Sequence, residues 1–192
     1  PLNSKNRQTL FANASTNLRS SVGAGQPLTQ RTLLIFNTGL WDLLEPKSGD
    51  GDYFKTHIVE FEKLIAELRQ IFSGATIVYK NTVAVHPHVV NCNTIGIKNQ
   101  SLVKQCHKRI QYMSNSRVKL LNRLQEIVAK QNNIRVLDHY GITHGADRFC
   151  KPNDGRHYRD ELVEKVWESW SAVTTLNQSS HSDNTVTGTS GS

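Results

Sequence analysis

The stretch TLLIFNTGLWDL, residues 32–43, decides how the rest of the chain is read. A short apolar run rich in strand formers leads directly into Asn37-Thr38-Gly39, which has the composition of a turn. An uninterrupted apolar run of this length, rather than an alternating one, is what a buried strand of a parallel sheet requires, because both of its faces are covered.

Working downstream, YFKTHIVEFEKLIAELRQIF (residues 53–72) repeats Phe54, Ile58, Phe61, Ile65, Leu68 and Phe72 every three or four positions. The spacing predicts a helix with one apolar face, with Glu60, Lys63, Glu67 and Arg69 toward water. Ser73 and Gly74 end it, and ATIVYK (75–80) supplies a second strand. A stretch containing Pro and Asn then leads to a helix that includes residues 116–130, with Val118, Leu121, Leu124, Ile127 and Val128 as its buried stripe. NIRVLD (133–138) is a third strand, and Leu162, Val163, Val166, Trp167 and Trp170 mark the apolar face of a closing helix. Strand and helix alternate, so the expected fold is α/β: a three-layer α/β/α sandwich around a mainly parallel sheet.

Around that core the texture changes. Residues 1–30 are polar and read as a linker or fragment start, residues 31–172 as the α/β domain, and residues 173–192 as a disordered Ser/Thr-rich tail. The 192 residues, 37% of them hydrophobic, suit a single domain. No stretch reaches the roughly 20 apolar residues of a membrane span, and no secretion-type leader opens the sequence. A first residue of Pro1 reads as a fragment or a processed product. Cys92, Cys106 and Cys150 are too scattered for a disulfide framework or a metal knuckle, but they permit one bridge with an odd thiol left over. Sequons at Asn13, Asn99 and Asn177 suit a glycoprotein of the secretory pathway, in the Golgi lumen or outside the cell, against about two such triplets expected by chance.

The net charge of +7 is unevenly placed. Residues 98–135 carry nine Lys or Arg and one acid, Glu126, whereas residues 171–192 carry no Lys or Arg. Such a stripe attracts polyanions, but without interleaved aromatics or a nucleic-acid motif it reads first as a solvated helix face, and nucleic acid is not the expected partner.

In a parallel sheet, ligands gather beyond the carboxyl ends of the strands. The unusual polar residues lie there: Asn37, Gly39, Trp41 and Asp42 after the first strand, Asn81, His86 and His88 after the second, and Asp138, His139, His144 and the loop NDGRHY (153–158) after the third. In that loop Asp154 stands three residues before His157, with Gly155 between. A carboxylate on one imidazole nitrogen fixes the tautomer and stabilises the imidazolium, which makes the other nitrogen a base near neutral pH. The plain alternative is a turn built by Asp154 and Gly155, with His157 half exposed and Asp160 opening the last helix. His86 and His88 form an H-x-H pair that with His139 or His144 resembles a zinc set, but no carboxylate or thiolate completes a familiar spacing, so no metal is expected and these histidines read as cleft lining beside Asn81. Asp138 and His139 are adjacent at a strand end and point oppositely, which makes one of them buried structure.

FNTGLWDL after an apolar strand, a middle strand running into VYKNT, a later one ending LDHY, and DGRHY before a closing helix resemble the SGNH/GDSL hydrolases over residues 31–171. The nearest branch is the PC-esterase group, which includes polysaccharide and sialic-acid O-acetyltransferases. The resemblance implies a Ser-His-Asp mechanism on an acyl ester, with acetyl the expected group, of a carbohydrate or other alcohol, and no metal or organic cofactor. Asp154 matches the orienting acid and His157 the base. Asn37, with Gly39, is nominated for oxyanion donation or substrate positioning, and Trp41 stands where many members carry the donor asparagine in a Gly-x-Asn-Asp motif. The family sets its serine in a Gly-Asp-Ser turn after the first strand, upstream of NTG. This sequence contains no such motif, and Ser20 and Ser21 follow no apolar strand. Two readings follow: a chain without its first strand and serine, or a degenerate glycan-binding member. A basic polyanion-binding module centred on residues 98–135 is the rival from outside the family.

Overall fold

A computed structural model of the chain describes residues 32–40, 43, 50–95 and 99–175. The expected linker (1–30), Trp41 and Asp42, and the tail from residue 176 onward lie outside the described residues. Three strands, β1 (Leu33–Phe36), β2 (Thr76–Lys80) and β3 (Arg135–Leu137), form a parallel sheet in the order β1-β2-β3. Leu33 is in register with Thr76, and Val78 with Arg135. The helices of the described residues include α1 (Asp50–Ile71), the short α2 (Cys92–Ile95), α3 (Gln100–Ile110), α4 (Asn115–Gln131), α5 (His139–Thr143) and α6 (Asp160–Thr175). The α/β expectation therefore holds: a three-stranded parallel sheet is flanked by helices.

α1 and α4, the two crossover helices, share one face of the sheet. Phe61 and Ile65 of α1, Val128 and Ala129 of α4, and Tyr79 of β2 form one core with Ile134. Tyr79 and Lys80 are neighbours on a strand, so they point to opposite faces. On the second face the Lys80 ammonium lies 5.7 Å from the Trp170 ring of α6, which puts the closing helix on the side away from α1 and α4.

Two apolar stripes are narrower than their spacing suggests. On α4 the buried face runs through Val118, Leu121, Asn122, Gln125 and Val128, while Ile127 is exposed. The face has turned because two amides have long-range partners: Gln125 accepts the Tyr79 hydroxyl at 2.5 Å, and Asn122 binds Thr82. A paired amide can occupy a core position that an unpaired one cannot. On α6, Leu162 and Val166 are buried and Trp170 is half-buried, but Val163 and Trp167 face outward.

The segment after β2 positions everything that follows. Asn122 of α4 accepts the Thr82 amide hydrogen and donates to the Thr82 carbonyl, each at 2.9 Å. Asn115, seven residues earlier on the same helix face, does the same for Val85, again at 2.9 Å in both directions. Each asparagine thus satisfies both backbone groups of an extended residue, as a neighbouring strand would. The Thr143 hydroxyl of α5 accepts the Ala84 amide at 2.9 Å and completes the grip.

Candidate active site

Within NDGRHY, Asn153 (φ 63°) and Gly155 (φ 68°) both take left-handed backbone conformations, which Asn tolerates and Gly adopts freely. The resulting turn brings two amides onto one carboxylate oxygen: Asp154 Oδ1 accepts from Arg156 N at 3.2 Å and from His157 N at 3.1 Å. With Oδ1 held this way, Oδ2 lies 2.6 Å from His157 Nδ1. The turn and the Asp–His pair are therefore one structure: the capping that makes the turn also aims the carboxylate.

The Asp154 side chain is only 24% exposed, and the His157 ring 55%. Partial burial works against ionisation of Asp154, but hydrogen bonds and charge from His157, joined by the Arg156 guanidinium, outweigh it and hold the carboxyl below its ordinary range. An ionised Oδ2 only accepts, so Nδ1 carries the hydrogen and the lone pair of the neutral ring is on Nε2. That is the tautomer a general base needs.

The pair-bearing loop is fastened to the segment after β2. Gly155 is buried, and its carbonyl accepts the His86 amide at 2.7 Å. A Cβ at Gly155 would meet the His86 carbonyl oxygen at 2.4 Å. Three residues on, the Tyr158 hydroxyl donates to the Ala84 carbonyl at 2.8 Å, and Cys150 and Tyr158 form an antiparallel bridge. The pair is thereby tied to the carboxyl end of the sheet through Ala84 and His86.

The remaining nominated residues have varied surroundings. Asn37 is exposed at the end of β1, and one of its amide hydrogens goes to the Lys80 carbonyl at 2.8 Å. Gly39 is buried at φ 112°, a backbone conformation that favours glycine, and a Cβ there would also meet Leu121 Cδ2 at 2.6 Å. Trp41 lies outside the described residues. Asn81 and His86 are enclosed rather than lining an open cleft. Asn81 donates to Asp138 at 3.0 Å and to Glu126 at 3.2 Å while accepting the Tyr140 amide at 2.7 Å. The His86 Nε2 lies 3.2 Å from the Thr143 carbonyl. His88 is exposed, 3.2 Å from Asp147, in a looser Asp–His pair than the one at 154–157. Asp138 caps α5 through the Gly141 amide at 2.8 Å. His139 is wedged edge-on against Trp170, and burial, reinforced by Lys80, lowers its pKa to about 4. Among the described residues, no three His, Cys, Asp or Glu side chains gather as a metal cluster requires.

Sequence reasoning left open which cysteines pair beside the loop. Cys92 and Cys106 form a disulfide, and Cys150 is a buried free thiol. The bridge ties α3 to α2 beside the loop, leaving a cleft of about 340 Å³ whose lining includes Asp154 and Arg156 on one side and Gln105 and Arg109 on the other.

A model of the GDSL-like lipase/acylhydrolase family matches residues 8–170 of the chain. No curated protein matches it.

Proposed function

Since the chain belongs to the GDSL-like lipase/acylhydrolase family, whose chemistry is ester cleavage, we propose that Asp154 and His157 are the acid–base half of an acyl-transfer site. The observation that carries the reading is the 2.6 Å contact between Asp154 Oδ2 and His157 Nδ1, in a turn that fixes both groups. His157 Nε2 removes the proton from a serine hydroxyl as its oxygen attacks the ester carbonyl, and the imidazolium, balanced by Asp154, returns that proton to the departing alcohol. The same nitrogen then deprotonates the hydroxyl that resolves the acyl-enzyme. Water in that role gives an esterase; a sugar hydroxyl gives an O-acetyltransferase. The resemblance of FNTGLWDL and DGRHY to the PC-esterase branch supports an acetyl ester of a carbohydrate as substrate. The Cys92–Cys106 bridge suits the oxidising compartment in which secretory-pathway esterases work.

The test uses the natural protein. A fluorophosphonate probe, which phosphonylates activated serines, is followed by peptide mapping and by turnover of 4-nitrophenyl acetate. One labelled serine per chain, with labelling and turnover both lost in His157→Ala, is the expected result and identifies the nucleophile. These 192 residues hold no Gly-Asp-Ser motif, which fits a longer natural chain that carries the serine and equally a second reading, a glycan-binding relative without turnover. No labelling and no turnover above the His157→Ala background would establish that reading in place of the first.

A further inference from the structure

Asn99-Gln100-Ser101 is the one Asn-x-Ser/Thr triplet among the described residues, and Asn99 stands midway between the bridged cysteines, seven positions from Cys92 and seven from Cys106. It is the N-cap of α3: its backbone is extended (φ −146°, ψ 99°), and its Oδ1 accepts the Ser101 amide at 3.0 Å. Its backbone carbonyl accepts the Leu102 amide, also at 3.0 Å. The residue is thus fixed through its two oxygens, as the start of a helix requires. The side-chain nitrogen is not used, since Nδ2 donates to no described residue.

That separates Asn99 from the asparagines that build the fold. Asn37, Asn81, Asn115, Asn122 and Asn132 each donate through Nδ2 to another residue, and none of them begins such a triplet. Asn99, Gln100 and Ser101 are all exposed, and α3 has no buried residue, so a bulky group on its first turn displaces no packing. Position 100 is Gln rather than the proline that disables the triplet. The Cys92–Cys106 bridge is an independent observation on the same segment: disulfides persist in oxidising compartments, and secreted proteins that pass through them are the ones glycosylated at asparagine.

We propose that Asn99 carries an N-linked glycan. Transfer forms a bond from Nδ2 to the anomeric carbon of the first sugar and breaks the bond from that carbon to the phosphate oxygen of a lipid diphosphate-linked oligosaccharide. The lipid diphosphate leaves, and Nδ2 gives up one of its two hydrogens as a proton. Oδ1 is untouched, so the modified residue still caps α3. Asn99 does not line the cleft beside Asp154, so the proposal does not depend on the acyl-transfer reading; the two share only the oxidising compartment.

The natural protein, produced from its full reading frame in animal cells, is treated with a peptide-N-glycosidase in heavy-oxygen water, which converts each glycosylated asparagine to a labelled aspartate. Mass spectrometry of the tryptic peptide spanning residues 99–104 should find the label at residue 99 in most molecules. Ser101→Ala and Asn99→Asp should each lose one glycan on a gel while still closing the Cys92–Cys106 bridge, because both keep the cap acceptor and the amide it holds. Ser101→Thr should retain the glycan. An unlabelled residue 99 overturns the proposal, whether the protein is secreted with the bridge closed or stays in the cytosol with both thiols free. Label without ester turnover would remove the acyl-transfer reading alone, and turnover without label would remove the glycan alone.

Discussion

Gly155→Ala should lower folding stability by roughly 3–4 kcal/mol, and Gly145→Ala by only about 1–2 kcal/mol, although both glycines have positive φ. At Gly145 (φ 86°) nothing lies within 4 Å of an added Cβ, so the cost is the left-handed backbone alone. At Gly155 (φ 68°) the same atom meets the His86 carbonyl oxygen at 2.4 Å and Val90 Cγ2 at 2.8 Å. Ordinary contact begins about 1 Å farther out, so the loop must withdraw. Withdrawal breaks the 2.7 Å bond from His86 N to Gly155 O and leaves the amide of a buried residue unpaired. An unmade bond of this kind costs roughly 1–3 kcal/mol beyond the backbone strain. Urea unfolding of both variants, with unchanged m-values, measures the difference directly. If the two variants agree to within about 0.5 kcal/mol, the loop carrying Asp154 and His157 is not fastened at His86, and the account of how the pair is positioned fails.

Asp154→Asn keeps an acceptor for the amides of Arg156 and His157 but turns an NH2 group toward Nδ1, moving the ring hydrogen to Nε2. Turnover of an acetyl ester should fall about 10,000-fold with the fold retained; a near-normal rate would leave the pair as a turn and nothing more. Asn122→Ala strips both partners from Thr82 inside the protein and should cost roughly 2–4 kcal/mol in a urea titration, with Asn122→Asp intermediate. A loss below about 0.5 kcal/mol would show that the segment after β2 does not depend on α4. For His139, folding lowers the pKa from 6.5 to about 4, so below the upper value the unfolded chain takes up a proton that the native protein refuses. Stability is thus fully present above pH 6.5 and should decline by roughly 2–3 kcal/mol as the pH falls toward 4, a slope that His139→Phe should flatten. An equally steep slope in the variant would locate the acid sensitivity elsewhere. The lowered carboxyl of Asp154 adds its own loss only below the ordinary carboxylate range.

Much of the architecture is written locally. Apolar runs at 32–36, 75–80 and 133–138 foretell strands observed at Leu33–Phe36, Thr76–Lys80 and Arg135–Leu137, and the repeat from Phe54 to Phe72 foretells α1. The Asp154–His157 contact was also legible, because three residues and a glycine are enough for a turn to close on itself. By contrast, the exposed positions of Ile127, Val163 and Trp167 were not legible. Helical spacing gives the stripe's period but not its width or its exact bearing, which depend on what packs opposite.

By itself, then, the sequence determined the alternation of strands and helices, the parallel sheet, and a short-range Asp–His pair, since each follows from steric preferences and periodicities spanning a few residues. Only the tertiary structure decided that Asn115 and Asn122 would stand in for a strand beside residues 82–85, that Cys106 would choose Cys92 over Cys150, and that α3 would border a cleft lined by both Arg109 and Arg156. Those choices join groups 14 to 47 positions apart. A polar or thiol group has many chemically equivalent partners along a chain, and the choice among them is made by where packing of the whole core brings each one to rest.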